Sequence, residues 1–221
     1  MFDLRFQTPS TFILSGASMS GKTQFAMNLL RHADQLFKNP QCKQNIIYYY
    51  KEWQPSYDVF KTENIVSEWV HQLPTVTDLK ERTSFHKETG SIIVIDDFGS
   101  DLSRDISEIF TIHAHHTNTV VILIVQNLFL KNFRDISLNS TYIVLFKNVR
   151  DKSQVTNYLK QFQPNNSKWL SDAFQECTKL PYSYMLFDHD QIQLDALRCR
   201  GDIIPNDRPM TVWFQDTCTT T

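Results

Sequence analysis

The sequence predicts an α/β protein with a mostly parallel sheet covered by helices on both faces. Apolar runs suited to buried strands alternate with segments of helical periodicity, and successive strands lie too far apart to pair as hairpins. The most apolar run, residues 119–125, is typical of a central strand covered on both faces. With 221 residues, 41% of them hydrophobic, we expect a single domain over 1–221, with a core of about 11–190 and a C-terminal extension of about 191–221.

Composition excludes several classes of protein. Lys and Arg total 22 against 24 Asp and Glu, so any DNA contact must come from a local patch or the lumen of a ring rather than from the whole surface. The four cysteines form no C-x-x-C pair, which argues against a disulfide framework or a zinc site. The start of the sequence lacks a signal-peptide pattern and no apolar run reaches membrane-spanning length. We therefore expect a soluble, intracellular protein that is not secreted and has no membrane partner.

A complete phosphate-binding motif lies near the start of the chain. The strand predicted over 11–15 leads into Gly16-x-x-x-x-Gly21-Lys22-Thr23, and a helix over 24–37 follows, which is the arrangement of a P-loop. The glycines allow a tight turn whose N–H groups point at nucleotide phosphates, and the helix adds its N-terminal dipole. Lys22 is expected to reach the β- and γ-phosphates and the Thr23 hydroxyl to hold Mg²⁺. The predicted nucleotide-binding residues are Gly16, Ala17, Ser18, Met19, Ser20, Gly21, Lys22 and Thr23.

Two carboxylates end the apolar strand predicted over 91–97. Parallel strands present their C-terminal ends at the edge of the sheet where ligands bind, so Asp96 and Asp97 are expected beside the phosphates. Asp96 is assigned to Mg²⁺, directly or through water. Asp97 lies where a catalytic base can polarise the attacking water. Together with the P-loop, this pair predicts hydrolysis of a nucleoside triphosphate.

A polar amide follows the next strand. Gln126 comes directly after the run at 119–125, where its side chain can hydrogen-bond the γ-phosphate or the attacking water. The alternative is an amide that caps the following helix. A strand inserted between the P-loop strand and the acidic strand marks the RecA-like ASCE type of P-loop NTPase, which has an additional catalytic residue. At least one strand, predicted over 119–125, lies between the acidic strand and the next one in sequence, and we expect the ASCE type.

Hydrolysis also needs a positive charge at the developing transition state, and a neighbouring subunit often supplies it as an arginine finger. Arg134 precedes the strand predicted over 141–146, and Arg150 follows it. Either side chain could point across a ring interface. The alternative for each is an exposed arginine on a helix.

The other elements complete the alternation of strands and helices. Strands are predicted over 45–50, 64–66, 184–187 and, at an edge, 210–214. Helices are predicted over 67–72, 76–85, 100–116 and 169–178. Two further helices are predicted, one after the turn at 53–57 that ends at about residue 62, and one after residue 152 that ends at about residue 162. The aromatic residues from Tyr48 to Trp53 are interpreted as core packing plus a turn. Asp188 to Asp190 are interpreted as a solvated turn after a strand.

Several stretches resemble one family of molecular motors. They are residues 115–118 (His-His-Thr-Asn), residues 119–129 ending in Gln126-Asn-Leu-Phe, residues 134–140 beginning Arg134-Asp-Ile-Ser, and residues 145–152 with Lys147-Asn-Val-Arg150-Asp-Lys. They look like the genome-packaging ATPases of Polinton/Maverick elements, adintoviruses and virophages. Those enzymes resemble the poxvirus packaging ATPase and belong to the FtsK–HerA superfamily of DNA translocases. Residues 181–188 and 203–205 also resemble the end of that domain, so the resemblance covers most of the chain.

The resemblance implies a homo-oligomeric ring that pumps double-stranded DNA into a preformed capsid, driven by ATP and Mg²⁺. It assigns phosphate and metal binding to Gly16, Gly21, Lys22 and Thr23, metal binding to Asp96, the base to Asp97 and the sensor to Gln126. Many members have Glu at the base position, so Asp97 departs from the pattern. The implied partners are DNA and capsid or portal components. The implied location is the cytoplasm or nucleus of an infected host, with association with the virion as an alternative.

Two other functions are weighed against DNA translocation. A nucleotide kinase would need an arginine-rich substrate lid, and no such cluster follows the P-loop. A nucleotide-dependent scaffold that hydrolyses little is disfavoured by the intact Lys22, Asp96 and Asp97. For a ring around DNA, Lys131 and Lys152 are the candidates for phosphate contact in the lumen.

Overall fold

The computed structural model describes residues 2–98, 104–129, 133–205 and 208–215. Its strands are β1 (Ser10–Ser15), β2 (Ile46–Tyr50), β3 (Glu68–Val70), β4 (Ser91–Asp96), β5 (Thr119–Val125), β6 (Tyr142–Phe146), β7 (Tyr184–Asp188), β8 (Cys199–Gly201) and β9 (Thr211–Trp213). They form one sheet in the order β3-β2-β4-β5-β1-β6-β7-β8-β9. The pairs from β3 to β6 are parallel, whereas β7, β8 and β9 are added antiparallel. The predicted mostly parallel sheet is therefore confirmed, and the predicted edge strand is present as β9.

Strand β5 lies between the P-loop strand and the acidic strand, which is the arrangement of the expected ASCE type. Ser15 at the end of β1 is opposite Val125, and Asp96 at the end of β4 is opposite Ile124. Every residue of β1, β4 and β5 is buried, as expected for strands covered on both faces. Because the three strands are parallel and in register, the segments that follow them meet at one edge of the sheet.

Helices cover both faces of this sheet. They are α1 (Lys22–Arg31), α2 (Ala33–Leu36), α3 (Pro55–Thr62), α4 (Val76–Thr83), α5 (Arg104–Glu108), α6 (Ala114–His116), α7 (Arg134–Leu138), α8 (Lys152–Phe162) and α9 (Ser167–Cys177). A π-helical turn, Ile109–His113, joins α5 to α6, and 3₁₀ segments lie at Pro40–Gln44, Ser84–His86, Pro164–Asn166 and Asp195–Leu197. Alternate strand residues enter two separate apolar clusters, which confirms the cover on both faces. Among the described residues, none of the helices has the length and apolarity that a membrane crossing requires.

Two predicted helices have different limits in the structure. The helix expected over 24–37 is interrupted at His32 and ends at Leu36. It ends there because Phe6 pairs with the following chain: Phe6 N donates to Leu36 O at 2.7 Å, and Lys38 N donates to Phe6 O at 2.9 Å. Of the helix expected over 100–116, residues 104–116 are helical and the first four lie outside the described residues.

The helix predicted over 67–72 is wrong. Residues Glu68–Val70 form β3, parallel to β2 and with Trp69 opposite Tyr48, and the preceding 64–66 is not a strand. The Trp69 ring packs with its centroid 4.7 Å from that of Tyr48. A segment this short has no reliable periodicity, so pairing with β2 and aromatic packing decide its conformation.

The solvated turn predicted after β7 is wrong for Asp188. Its side chain is 2% exposed and forms an ion pair with Arg200 of β8, which is 1% exposed. Arg200 Nη1 also donates to Leu4 O at 2.8 Å. The antiparallel strand β8 brings this arginine to the carboxylate, and buried carboxylates require such a partner. The segment after residue 190 thus holds the start of the chain against the sheet.

Candidate nucleotide-binding and catalytic site

The P-loop joins β1 to α1 at the C-terminal edge of the parallel strands. Gly21 precedes α1 with a left-handed φ of 99° and offers no side chain to cap the helix, which leaves the N–H groups of the first turn without a side-chain acceptor there. Gly16 lies against β6, where an added Cβ would come within 2.7 Å of Phe146 Cβ. Between the two glycines lie Ala17, Ser18, Met19 and Ser20. The loop therefore has the geometry of an anion-binding helix N-terminus.

Lys22 is folded onto its own loop. Its side chain is buried, and Nζ donates to Gly16 O at 2.7 Å and to Ala17 O at 2.8 Å. Burial lowers the pKa of Lys22, and the charges of Asp96 and Asp97 oppose that shift. The ammonium group is thus held among oxygen acceptors that phosphate oxygens can replace.

Strand β4 places Asp96 beside the P-loop. Thr23 Oγ1 donates to Asp96 Oδ2 at 3.2 Å, so the first turn of α1 and the end of β4 are in direct contact. Mg²⁺ is a hard cation that binds oxygen ligands such as hydroxyl and carboxylate groups. The donor set formed by Thr23 and Asp96 therefore fits a magnesium ion next to the phosphates.

Two tyrosines hold the same carboxylate; sequence reasoning assigned Tyr48 only to core packing and did not select Tyr57. The Tyr48 hydroxyl donates to Asp96 Oδ2 at 2.7 Å and the Tyr57 hydroxyl at 2.8 Å. Burial, reinforced by the charge of Asp96, raises the pKa of both phenols, so both remain protonated donors. Burial also raises the pKa of Asp96, and the hydrogen bonds from Tyr48, Tyr57 and Thr23 oppose that shift.

For Tyr48, a sequence signal was present in β2. Three successive tyrosines lie in a strand that must be buried on both faces, and a buried phenol O–H needs an acceptor. Tyr48 reaches Asp96 on one side of the sheet, and Tyr49 reaches Asp78 Oδ2 at 2.5 Å on the other. The expected core packing is also present, since both rings are fully buried.

Asp97 and Gln126 meet just beyond the ends of β4 and β5. Gln126 Nε2 donates to Asp97 Oδ1 at 3.4 Å, and both side chains are exposed. The backbone of Asp97 is left-handed, with a φ of 66°, so the chain turns directly after Asp96. The neighbouring Asn127 makes the local turn contact instead, accepting from Phe129 N at 2.6 Å. Gln126 is thus directed to the acidic pair rather than to the following turn.

A cavity of about 230 Å³ brings most of the predicted residues together. It is lined by Ser18, Met19, Lys22, Thr23, Asp96, Asp97 and Gln126, which sequence reasoning selected, and by Gln54, which it did not. Gln54 directly precedes α3 and faces the cavity from the same segment that carries Tyr57. The arrangement can hold a charged phosphate group, a divalent cation and a polarised water molecule.

A second cavity, of about 700 Å³, adjoins the P-loop and the first turn of α1. Its outer wall comes from the C-terminal part of the chain and includes Tyr182, Asp202, Pro205 and Arg208. The Tyr182 side chain lies over Gly21, where an added Cβ would be 3.3 Å from Tyr182 Cβ. The volume is in the range of small-molecule sites, so a nucleoside attached to phosphates at α1 has room here.

Arg134 and Arg150 line neither of these two cavities. Arg134 is the first residue of α7, Arg150 lies in the turn before α8, and both are exposed. Asn148 shapes that turn, because its Oδ1 accepts from the N–H groups of Arg150 and Asp151 at 3.1 and 3.0 Å. Within one subunit, the described residues place both arginines on the surface.

Solved structures resemble this chain, although no family model and no curated protein matches its sequence. The genome-packaging NTPase B204 from Sulfolobus turreted icosahedral virus 2, in complex with ATPγS, has a TM-score of 0.52 at 17% identity, over 84% of this chain and 95% of that chain. The same protein in complex with AMP has a TM-score of 0.54 at 17% identity over the same shares. The DNA-packaging ATPase B204 from Sulfolobus turreted icosahedral virus has a TM-score of 0.53 at 17% identity, over 85% and 96%. The chain has the fold of a P-loop NTPase.

The P-loop NTPase fold accounts for the positions of the motifs. In this chain the loop after β1, the acids at the end of β4 and the amide after β5 share one edge of the sheet. The likeness extends over nearly the whole length of the B204 chains, so it includes the sheet beyond the P-loop strand. The fold class predicted from the sequence is confirmed.

Proposed function

We propose that this protein is an ATPase that translocates double-stranded DNA to package a viral genome into a preformed capsid. The observation that carries the proposal is the meeting of five polar side chains at one cavity: Lys22, Thr23, Asp96, Asp97 and Gln126. Their supporting sheet has β5 inserted between β1 and β4. The likeness to B204 and the resemblance of residues 115–152 to packaging ATPases support DNA as the substrate of the motor.

ATP binding would exchange the hydrogen bonds of Lys22. The ammonium group leaves the carbonyls of Gly16 and Ala17 and pairs with the β- and γ-phosphates. Thr23 Oγ1 and Asp96 would hold Mg²⁺, which neutralises phosphate charge when bound. The first turn of α1 adds backbone N–H donors to the same phosphates.

Hydrolysis would use the exposed pair beyond the strand ends. Asp97 accepts the proton of the attacking water, and Gln126, in contact with Asp97, orients that water. The water oxygen bonds to the γ-phosphorus while the bond to the β,γ-bridging oxygen breaks, which leaves ADP and phosphate. Lys22 stabilises the negative charge that develops on the transferred group.

A homo-oligomeric ring would complete this site. Arg134 and Arg150 are exposed on the subunit, so either can reach the γ-phosphate of a neighbouring copy as the arginine finger. Lys152, exposed at the start of α8, is a proposed DNA contact in the lumen; Lys131 lies outside the described residues. A near-neutral chain suits a motor that meets DNA only there. The proposed further partners are capsid or portal components in an infected host cell.

The decisive measurement is the ATPase rate with and without double-stranded DNA. We expect DNA to raise the rate of the wild-type protein, and Lys22→Ala to abolish hydrolysis with or without DNA. Stimulation by a nucleoside monophosphate, with transfer of phosphate to it, would contradict the proposal and identify a kinase.

The ring is tested by mass measurement with a non-hydrolysable ATP analogue and DNA. The expected result is a species containing several copies of the chain. A protein that stays monomeric under these conditions contradicts the ring, and with it the role of a trans arginine.

A further inference from the structure

Three hydroxyl groups converge on one oxygen of Asp96. Its Oδ2 accepts from Tyr48 at 2.7 Å, from Tyr57 at 2.8 Å and from Thr23 at 3.2 Å. Asp96 is 3% exposed, so these bonds are shielded from competing water. The three donors fix the direction of the carboxylate and use Oδ2, whereas none of them bonds Oδ1.

The two tyrosines are themselves held by packing. Tyr48 lies on β2 and Tyr57 on α3, and both are fully buried. Trp69 of β3 covers both rings, with centroid distances of 4.7 Å to Tyr48 and 5.3 Å to Tyr57, and the tyrosine rings are 5.3 Å apart. Three packed rings leave the two hydroxyl groups little freedom to turn away from Asp96.

Neither tyrosine borders the two cavities of the candidate site. Any effect of their hydroxyl groups on a ligand must therefore pass through Asp96. Groups that hydrogen-bond a metal-binding side chain orient it, and their loss typically reduces metal affinity by roughly 10- to 100-fold.

We infer that Tyr48 and Tyr57 are positioning residues that hold Asp96 in the orientation in which it binds a divalent cation beside the nucleotide phosphates. This inference rests on the proposed function, because the cation is bound together with the nucleotide at Thr23 and Asp96. The pair also links the cation to two separate elements, β2 and α3, and Gln54, the residue before α3, lines the cavity.

The inference is tested by the affinity for a fluorescent ATPγS derivative, measured once in Mg²⁺ and once in EDTA. The dissociation constant in EDTA divided by that in Mg²⁺ gives the contribution of the cation to binding. We expect Tyr48→Phe and Tyr57→Phe each to reduce this ratio about tenfold and to leave the affinity in EDTA unchanged. In ATPase assays, both variants should need a higher Mg²⁺ concentration for half-maximal rate, with a smaller change at saturating Mg²⁺.

Tyr49→Phe is the matched control. Tyr49 lies on the same strand as Tyr48 and is equally buried. Its hydroxyl donates to Asp78, a carboxylate that, unlike Asp96, borders neither cavity. A ratio that is the same in all three variants overturns the inference and leaves Tyr48 and Tyr57 as core residues. Thermal melting checks whether each variant is folded. If Tyr48→Phe does not fold, the comparison of Tyr57→Phe with Tyr49→Phe tests the inference. A wild-type protein that binds the nucleotide in neither solution contradicts the proposed function instead.

Discussion

Asp96 accepts hydrogen bonds from three different elements of the fold. Thr23 belongs to α1, Tyr48 to β2 and Tyr57 to α3, and all three reach the same oxygen. The next residue, Asp97, has no such support and faces solvent beside Gln126. Adjacent acids therefore have opposite environments: Asp96 is buried and held by three donors, whereas Asp97 is exposed.

If Asp97 is the proposed base, Asp97→Asn should separate nucleotide binding from hydrolysis. Asn tolerates the left-handed backbone at this position, so the substitution removes the charge without adding backbone strain. We expect affinity for a non-hydrolysable ATP analogue to stay close to that of the wild type, while phosphate release slows by at least about 100-fold. Normal turnover would remove Asp97 as the base. Asp135→Asn, an exposed acid on α7, is the control.

The candidate-site residues that could be predicted from the sequence lie at the ends of strands and helices. Lys22, Asp96 and Gln126 each lie where a strand ends or a helix begins, so topology alone brings them to one edge. Tyr48 and Tyr57 were missed because their acceptor is 48 and 39 residues away. Which tyrosine hydroxyl meets which carboxylate depends on packing between elements, and strand periodicity carries no information about it.

Among the elements, the turn before α8 belongs to residues 145–152, one of the stretches that resemble packaging ATPases, and two of its side chains have structural roles. Asn148 and Asp151 are both used by the backbone: Asn148 Oδ1 accepts two N–H groups, and Asp151 Oδ1 accepts from Gln154 N at 3.3 Å. This makes Asp151 the N-cap of α8 and leaves the Arg150 side chain exposed between them.

Asp151→Ala should weaken α8. The variant loses the acceptor for the first turn of the helix, so the urea concentration at the unfolding midpoint should fall. Asp151→Asn keeps an oxygen acceptor and should retain most of the stability. Circular dichroism during urea titration measures both, and equal midpoints for wild type and Asp151→Ala would contradict the cap.

Long elements were predictable and short ones were not. The strands β1, β4 and β5 have six or seven residues, all of them buried, and contain uninterrupted apolar stretches of three, four and six residues, which are typical of strands covered on both faces. β3 has three residues, and its conformation depends on Tyr48 across the pair and on the packing of Trp69. Local sequence therefore could not distinguish it from a helix.

Across the whole molecule, the ion pair of Asp188 and Arg200 connects the two ends of the chain. Arg200 lies on β8, its guanidinium also bonds Leu4 O, and the guanidinium carbon is 5.5 Å from the centroid of the Phe6 ring. Burial outweighs the attraction between the two charges, since the pKa of Asp188 is raised and that of Arg200 is lowered. Removing one partner alone would leave an uncompensated buried charge, which is strongly destabilising.

Arg200→Ala should lower the free energy of unfolding by about 3–5 kcal/mol, because it leaves the Asp188 carboxylate buried without its partner. Urea unfolding at pH 7 measures the loss. Adding Asp188→Asn to Arg200→Ala should recover part of the stability, since the unpaired charge is gone. Arg5→Ala, which breaks the exposed pair with Asp3, serves as the control and should change little. A loss no larger than that of the control would contradict the role of the pair.

Acid should destabilise the fold through His189. Burial, with a contribution from Arg198, lowers the pKa of His189 from 6.5 to about 4, and Nε2 lies 2.7 Å from the Tyr158 hydroxyl. Between these two pH values the unfolded chain binds more protons than the folded one. The stability is therefore fully present above pH 6.5 and is lost as the pH falls toward 4, by up to about 3 kcal/mol.

The comparison of wild type with His189→Gln isolates this effect. Urea unfolding at pH 7 and pH 4.5 should show a smaller decrease in the free energy of unfolding for the variant. The same decrease in both proteins would assign the acid sensitivity to other groups.

The wall of the larger cavity has a consequence for how the protein can be observed. Tyr182, Asp202, Pro205 and Arg208 border the space next to the P-loop although they lie more than 150 residues after it. A fluorophore placed on this wall would be brought near the P-loop by the fold itself, without any change to the P-loop residues. The C-terminal segment is thus a position for an optical reporter of events in this cavity.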